Sequence, residues 1–477
     1  MPDSELRYLS AGDAVRRFQA GTLSPPQLMR AVLDAAHAQR ETLNATTAIF
    51  ADSAMAAAEE SARRYRNGTA RALEGVPVAV KEETAVRGWR TTYGSLVQDR
   101  IPEENHPIID KLLEAGAIPH IQTTNPEFSC LGQTWSRRWG VTRNPWNPHY
   151  TCGGSSGGTA AALAAGCAPL GTGSDMAGSI RMPAAFQGLY GYRPPFGRIP
   201  CAAGDELFAF AVEGPLARTF EDLVLMLNVM AGPHPASYAA LPFAGLPQGY
   251  DDLAGWRIAY SDTMGCADVC RDVRRNLHRA LDGLRRRGAL IEPVEIDWDL
   301  DAISDTLVAG IFGLYYGEFL ATMPEEERER LTTYVRATWE KYAGKPQSIA
   351  AAAACASQLH ADMERKVWGA GYRAFICPTT FTTAIAADFD PSVEPTVAVG
   401  DAQLEGFLGW TATPPFNLLG RYPVIAAPTG LASTGVPTSM QIVTAPYQDH
   451  AAFQVAANHA AADITGFFTH VFPEPRG

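Results

Sequence analysis

The chain has few of the features that would take it out of an ordinary folded interior. No stretch reaches the roughly 20 apolar residues of a membrane-spanning helix, and the Ala-rich run near 349–355 is too short and too weakly apolar. The opening segment, MPDSELRYLSAGDAVRR, has no apolar signal core. Cysteine is sparse and scattered, at 130, 152, 167, 201, 266, 270, 355 and 377. Only Cys266 and Cys270 are close, and no second Cys or His pair stands at zinc-finger spacing. Such thiols are small buried hydrophobes in most large cores, so a cytoplasmic protein with reduced cysteines is expected. Basic charge is also scarce. The 39 Lys+Arg against 51 Asp+Glu leave a net charge of −12. The one basic run, Arg285-Arg286-Arg287, closes a helix before Gly288, where cations meet the negative end of the helix dipole. An acidic chain without a basic stripe is a poor binder of nucleic acid.

What is present is an α/β pattern. With 477 residues, 46% hydrophobic and 19% charged, the chain can bury a large core. Over 8–66 the sequence predicts helices, one of them started by Ser24-Pro25-Pro26 with Ser as N-cap and Pro in the first turn. GVPVAV at 75–80 is a continuous apolar run ending at Lys81, as in a buried strand. A helix over 108–115 and a strand over 117–121 follow. TAAALAAG at 159–166 is a small-residue helix, and Thr219 to Asp222 starts another that ends at Gly232. WRIAYS (256–261), a helix near 270–287 and ALIEPVEI (289–296) make a further α/β unit. FICPTT (375–380) and YPVIAAPTG (422–430) are strands running into loops. Strands alternating with helices predict a three-layer α/β fold. No composition shift marks a boundary, so one domain over 1–477 is expected.

The unusual segment is 139–199, dense in Gly and Ser yet too apolar for a linker. Three readings compete for GGSSGG (153–158) and SDMAGS (174–179). A phosphate cradle is weak, because no G-x-x-x-x-G-K-[ST] occurs and Met176 stands where a dinucleotide fingerprint wants glycine. A nucleophile elbow finds its G-x-S-x-G in Gly153 to Gly157. That elbow must follow a strand, whereas NPWNPHYTC before it is loop, and its base would have to be His450, His459 or His470. The third reading joins both segments to Lys81. Amide cleavage needs an activated nucleophile, a proton carrier to the leaving nitrogen and an oxyanion hole. A serine in a glycine-rich turn supplies the first, and the backbone N–H groups of Met176, Ala177 and Gly178 can point at one oxygen. A lysine acts as base only when neutral, which burial or nearby cations promote.

These residues carry a resemblance. GGSSGGTAAALAAGCAPLGTGSDMAGSIRMPAAF is similar to the core pattern of the amidase signature family, with 24 positions from Ser155 to Ser179. GVPVAVKE (75–82), TTNPEFS (123–129), TRNPWNP (142–148), EGPLARTFEDLVLMLNVMAG (213–232) and FNLLGRYPVIAAPTG (416–430) agree in order. The resemblance implies a three-layer α/β/α fold around a central mixed, mostly parallel, twisted sheet. It also implies a catalytic core over 70–240, a variable helical region over 300–370 that shapes the substrate funnel, and C-terminal strands and a helix over 371–470.

It further implies an amidohydrolase acting on a small-molecule amide without metal or organic cofactor, nucleic acid or membrane; a homodimer is allowed. Ser179 is then the nucleophile, Lys81 the base and Ser155 the bridging residue, set after a cis peptide bond from Gly154. Ser174, Asp175 and Arg181 brace the loop, with Asp175 ordering backbone amides and Ser174. Asn125 and Gly154 are expected to contact substrate. This chain departs from the family at Ala177, where glycine is usual, and at Gln122-Thr123-Thr124-Asn125. Met176, Trp135, Trp139, Phe312, Tyr315, Tyr316 and Trp410 are candidates to line an acyl pocket. Two other activities use the same acyl-enzyme. One is the glutamine-hydrolysing subunit of a tRNA-dependent amidotransferase, with Arg421 and Asp388 or Asp390 as glutamine contacts; the other is an esterase or acyl transferase.

Overall fold

Alternation sets the strands. Val78 and Val80 enter one apolar cluster and Ala79 another. Ile376 likewise faces away from Phe375 and Cys377, and Ile442 away from Val443. Successive side chains of a strand point to opposite faces, so each run must be covered on both sides. The computed structural model describes residues 6–206, 208–311, 316–342 and 349–473, with Glu318 described by its backbone alone. Phe312 and Tyr315 lie outside the described residues.

The strands of the main sheet are β1 (Thr46–Ile49), β2 (Pro77–Lys81), β3 (Ile118–Thr123), β4 (Leu170–Asp175), β5 (Tyr190–Arg193) and β6 (Val212–Ala217). After them come β7 (Arg257–Tyr260), β8 (Leu290–Pro293), β9 (Ala374–Pro378), β10 (Val424–Leu431) and β11 (Pro437–Val443). They form one 11-stranded sheet in the order β1-β3-β2-β4-β6-β5-β10-β11-β9-β7-β8. The sheet is mixed, but the expectation of mostly parallel pairing holds only toward its two ends. Four pairings are parallel and six antiparallel. The reason is local. β10 and β11 are joined by the short turn 432–436 and pair as a hairpin, which a parallel crossover cannot do. The N-terminal helices also enclose a strand, β1, which completes the sheet edge against β3.

Helices cover both faces. In chain order the main ones are α1 (Pro25–Ala38), α2 (Gly157–Ala164), α3 (Arg181–Gln187), α4 (Phe220–Met230), α5 (Arg271–Arg286) and α6 (Asp449–Ala461). The last three share one face and its apolar cluster. At the start of α1 Gln27 Oε1 accepts from the Ser24 backbone N–H at 2.9 Å, as in a capping box, and Thr219 caps α4 by accepting from Asp222 N at 3.1 Å. Helix α5 buries Val273, Leu277, Ala280, Leu281 and Leu284 at helical spacing, and Gly288 beyond its end takes φ +95°. Helix α2 is buried all round. Its small residues are required: a Cβ on Gly158 would lie 2.3–2.5 Å from three atoms of Thr124. Among the described residues no helix is long and apolar enough to cross a membrane.

Candidate active site

Parallel neighbours bring their C-terminal ends side by side, and β2 and β4 are such a pair. Lys81 is the last residue of β2 and Asp175 the last of β4. The Lys81 amide donates to Thr172 Oγ1 at 3.1 Å, which fixes the register where the strands end. Two short loops meet them there. Gly153 to Ser156 leads into α2, and Met176 to Ile180 leads into α3, with Ser156 N donating to the Ser179 carbonyl at 3.2 Å. The Gly154–Ser155 peptide bond is cis.

Lys81 is fully buried. Its Nζ is 2.7 Å from Ser155 Oγ and 2.8 Å from Ser174 Oγ. It also forms an ion pair of 2.9 Å with Glu83. The environment that makes a lysine a base was expected to be burial or cations; the structure supplies burial and a carboxylate. Glu83 accepts hydrogen bonds from Ser174 and Ser129. Burial opposes its charge, yet Lys81 and these hydroxyls outweigh burial and hold its carboxyl below the usual range. No motif in the sequence singled out Glu83. An acidic residue just past a strand end looks like a solvated charge.

Ser155, Ser174 and Ser179 line one cavity of about 450 Å³ together with Met176 and Ala177. Phe128, Leu131, Met182, Tyr316, Phe319 and Phe407 make its apolar wall, and Glu83, Glu213, Asp205, His106 and Arg100 its ionisable part. Of the aromatics expected at an acyl pocket and described here, Tyr316 lines the cavity. Trp135 instead packs edge-on against Tyr334, Trp139 carries the Arg138 guanidinium, and Trp410 is buried with its indole N–H on the Gly406 carbonyl.

Asp175 and Arg181 hold the loop between them. Asp175 accepts from the amides of Gly178 at 2.9 Å, Ile180 at 3.2 Å and Arg181 at 3.4 Å. Arg181 grips the same carboxylate with Nε and Nη2, both at 2.9 Å. It also donates to the Thr413 carbonyl and Gln441 Oε1. Burial works against the Asp175 charge, but Arg181 holds its carboxyl down at about 2.

Two expectations need correction. Asp175 orders amides but not the Ser174 hydroxyl, which points instead to Lys81 and Glu83. The Gly178 N–H is occupied by Asp175, so it does not point into an oxyanion site. Asn125 is buried, with its amide nitrogen on the Pro126 carbonyl at 2.9 Å. Gly154 leaves no room for a side chain, since an added Cβ would lie 2.6 Å from the carbonyl oxygens of Leu131 and Gln133. Cys130, Leu131 and Gly132 line the cavity. The elbow reading has no base: His459 is buried on the Pro428 carbonyl, and neither His450 nor His470 lines the cavity.

Known proteins share this arrangement of elements. The Amidase family model matches residues 27–453. An acylamidase of Rhodococcus erythropolis is 30% identical over 485 positions, covering 97% of both chains. A glutamyl-tRNA(Gln) amidotransferase chain of Ralstonia pickettii (strain 12J) is 35% identical over 315 positions, covering 62% of both. The crystal structure of a bacterial aryl acylamidase of the amidase signature family superposes with a TM-score of 0.89 at 24% identity, over 98% of this chain and 99% of that one. The chain belongs to the amidase signature family.

Proposed function

We propose that this amidase hydrolyses a carboxylic amide to an acid plus ammonia or an amine, through an acyl-enzyme on Ser179. The observation that carries the reading is the contact of 2.7 Å between Lys81 Nζ and Ser155 Oγ, with Ser155 and Ser179 opening on one cavity. Neutral Lys81 takes the Ser155 proton as Ser155 takes that of Ser179. Ser179 Oγ bonds to the carbonyl carbon, and the carbonyl electron pair moves onto oxygen. The amides of Met176, Ala177 and Ser179 are the donors available to that oxygen, since the Gly178 amide is held by Asp175. When the carbonyl re-forms, the C–N bond breaks and the leaving nitrogen receives a proton from Lys81 through Ser155. Water then attacks the ester. Its proton travels the same path to Lys81 and returns to Ser179 as the acid leaves.

A glutamine-specific reading has less support, because Arg421, Asp388 and Asp390 all lie outside the cavity lining. Eight free thiols support a cytoplasmic setting. The test is fluorophosphonate labelling read by mass spectrometry, followed by aryl, alkyl and peptide amides and the matching esters. Label on Ser179 that disappears in Lys81→Ala, with turnover of amides, is the expected result. Label on Ser155 instead, or turnover of esters alone, overturns it.

A further inference from the structure

Among the described residues Lys81 Nζ has three oxygen partners, and their own hydrogen bonds decide which can donate to it. Ser174 Oγ gives its hydrogen to Glu83 Oε1, so toward Lys81, 2.8 Å away, it can only accept. Glu83, at 2.9 Å, is an ionised carboxylate and also only accepts. Its second oxygen is held from the far side by Ser129. A neutral amine has two N–H groups and one lone pair. With two acceptors fixed, both N–H groups are assigned, and the lone pair is left for Ser155 Oγ at 2.7 Å. Turning an N–H toward Ser155 would set the lone pair against an oxygen.

We propose that Glu83 is a positioning residue of the reaction: it aims the Lys81 lone pair at Ser155 and balances the charge Lys81 gains on taking the proton. The inference rests on the reading of Lys81 as base. The physical role is that of a carboxylate fixing the orientation of a base and stabilising its protonated form.

Other titratable groups also feel Glu83. Glu82 is its chain neighbour, pushed by burial to about 7. Tyr93 and His106 come from the following loop, pushed by burial up to about 12 and down to about 4. Cys130 is pushed up by burial, and Glu213 of β6 is pushed by burial to about 8. Asp205 and Arg100 lie further along the same cavity. Around neutral pH, Tyr93, His106, Cys130 and Glu213 are thus mainly uncharged. Glu83 is the carboxylate in contact with the lysine.

This makes two separable demands. Losing the carboxylate misaims the base, which lowers kcat. It also removes the anion that favours the ammonium form, so the rising limb of the rate moves to lower pH. The experiment measures kcat and KM against pH for the full chain on 4-nitroacetanilide, which releases 4-nitroaniline. For Glu83→Gln the expected result is a plateau kcat lower by about 10²-fold, an unchanged KM and a limb at lower pH. Glu83→Asp, which keeps the charge, should recover part of the rate. If Glu83→Gln does not fold, Ser129→Ala substitutes, since it weakens the hold on the carboxylate and should move the limb the same way by a smaller step. A limb that stays in place, with or without a loss of rate, overturns the proposal. Lys81→Met measured alongside separates the two readings: retained activity there removes the lysine base itself, whatever Glu83 does.

Discussion

Arg181 and Asp175 form a two-point ion pair with both side chains fully buried, at 2.9 Å from Nε to Oδ2 and 2.9 Å from Nη2 to Oδ1. The same carboxylate holds the amides of Gly178, Ile180 and Arg181. One pair therefore ties the end of β4 to the start of α3, with Ser179 between them. Removing one partner strands a buried charge, which costs about 3–5 kcal/mol.

Arg181→Ala should lose that amount in urea unfolding at neutral pH. The pair also makes a prediction in acid. Asp175 is held at about 2 against an ordinary 3.8. Its contribution is thus complete above the ordinary value and is lost as the pH falls toward 2. Asp175→Asn should remove this part of the wild-type acid sensitivity. An unfolding profile of the same shape between pH 4 and 2 in both proteins would count against the assignment.

Gly178 and Thr413 meet on the other side of the loop. Thr413 Oγ1 donates to the Ala177 carbonyl at 2.7 Å, and a Cβ on Gly178 would sit 2.1 Å from that oxygen, at φ +121°. Gly178→Ala should therefore shift the 176–179 amides and lower kcat by about 10²-fold, the order seen when a reacting geometry is displaced by about 1 Å. Adding Thr413→Gly removes the clash but not the backbone strain. The double variant should recover part of the loss. Independent, additive effects of the two substitutions would contradict a shared contact.

GVPVAV and the 159–166 helix are legible in the sequence because apolar runs and small residues carry their burial openly. The two serines and Lys81 are legible only as an ordered set, since each alone has a plainer explanation. The central antiparallel strands are not legible: β11 mixes Thr438, Ser439 and Gln441 with its apolar residues, so no apolar run marks it or its pairing direction. Glu83 escapes because its role depends on Ser129 and Ser174, which reach it from distant segments. Asn125 is placed at the substrate by a sequence block, yet that block turns it onto Pro126.

The proposed lysine base gives the pH–rate profile its direction. Ammonium must lose a proton before Lys81 can accept one from Ser155, so kcat/KM should climb toward alkaline pH by about tenfold per unit below the plateau. Initial rates on 4-nitroacetanilide across the pH range test this. A plateau already reached well below neutral pH would rule out the lysine as base.

Glu213 adds a pH effect on stability. It lines the cavity with Oε1 3.9 Å from His106 Nε2, and its buried Oε2 has no hydrogen-bond partner among the described residues. Burial first, then the neighbouring Glu83, raises its carboxyl to about 8 although Lys81 pulls the other way. In the unfolded chain the same group ionises near 4.5. Between those values the folded state binds more protons, so stability falls as the pH rises. His106 has the opposite sign. Burial lowers it to about 4 from 6.5, so its contribution rises with pH, and only within that lower window. The range from 6.5 to 8 therefore isolates Glu213 from His106. Glu213→Gln keeps the shape and removes the ionisation, so its melting temperature relative to wild type should climb steadily over that range. A constant offset between the two proteins would mean that Glu213 ionises in the folded chain as it does in the unfolded one.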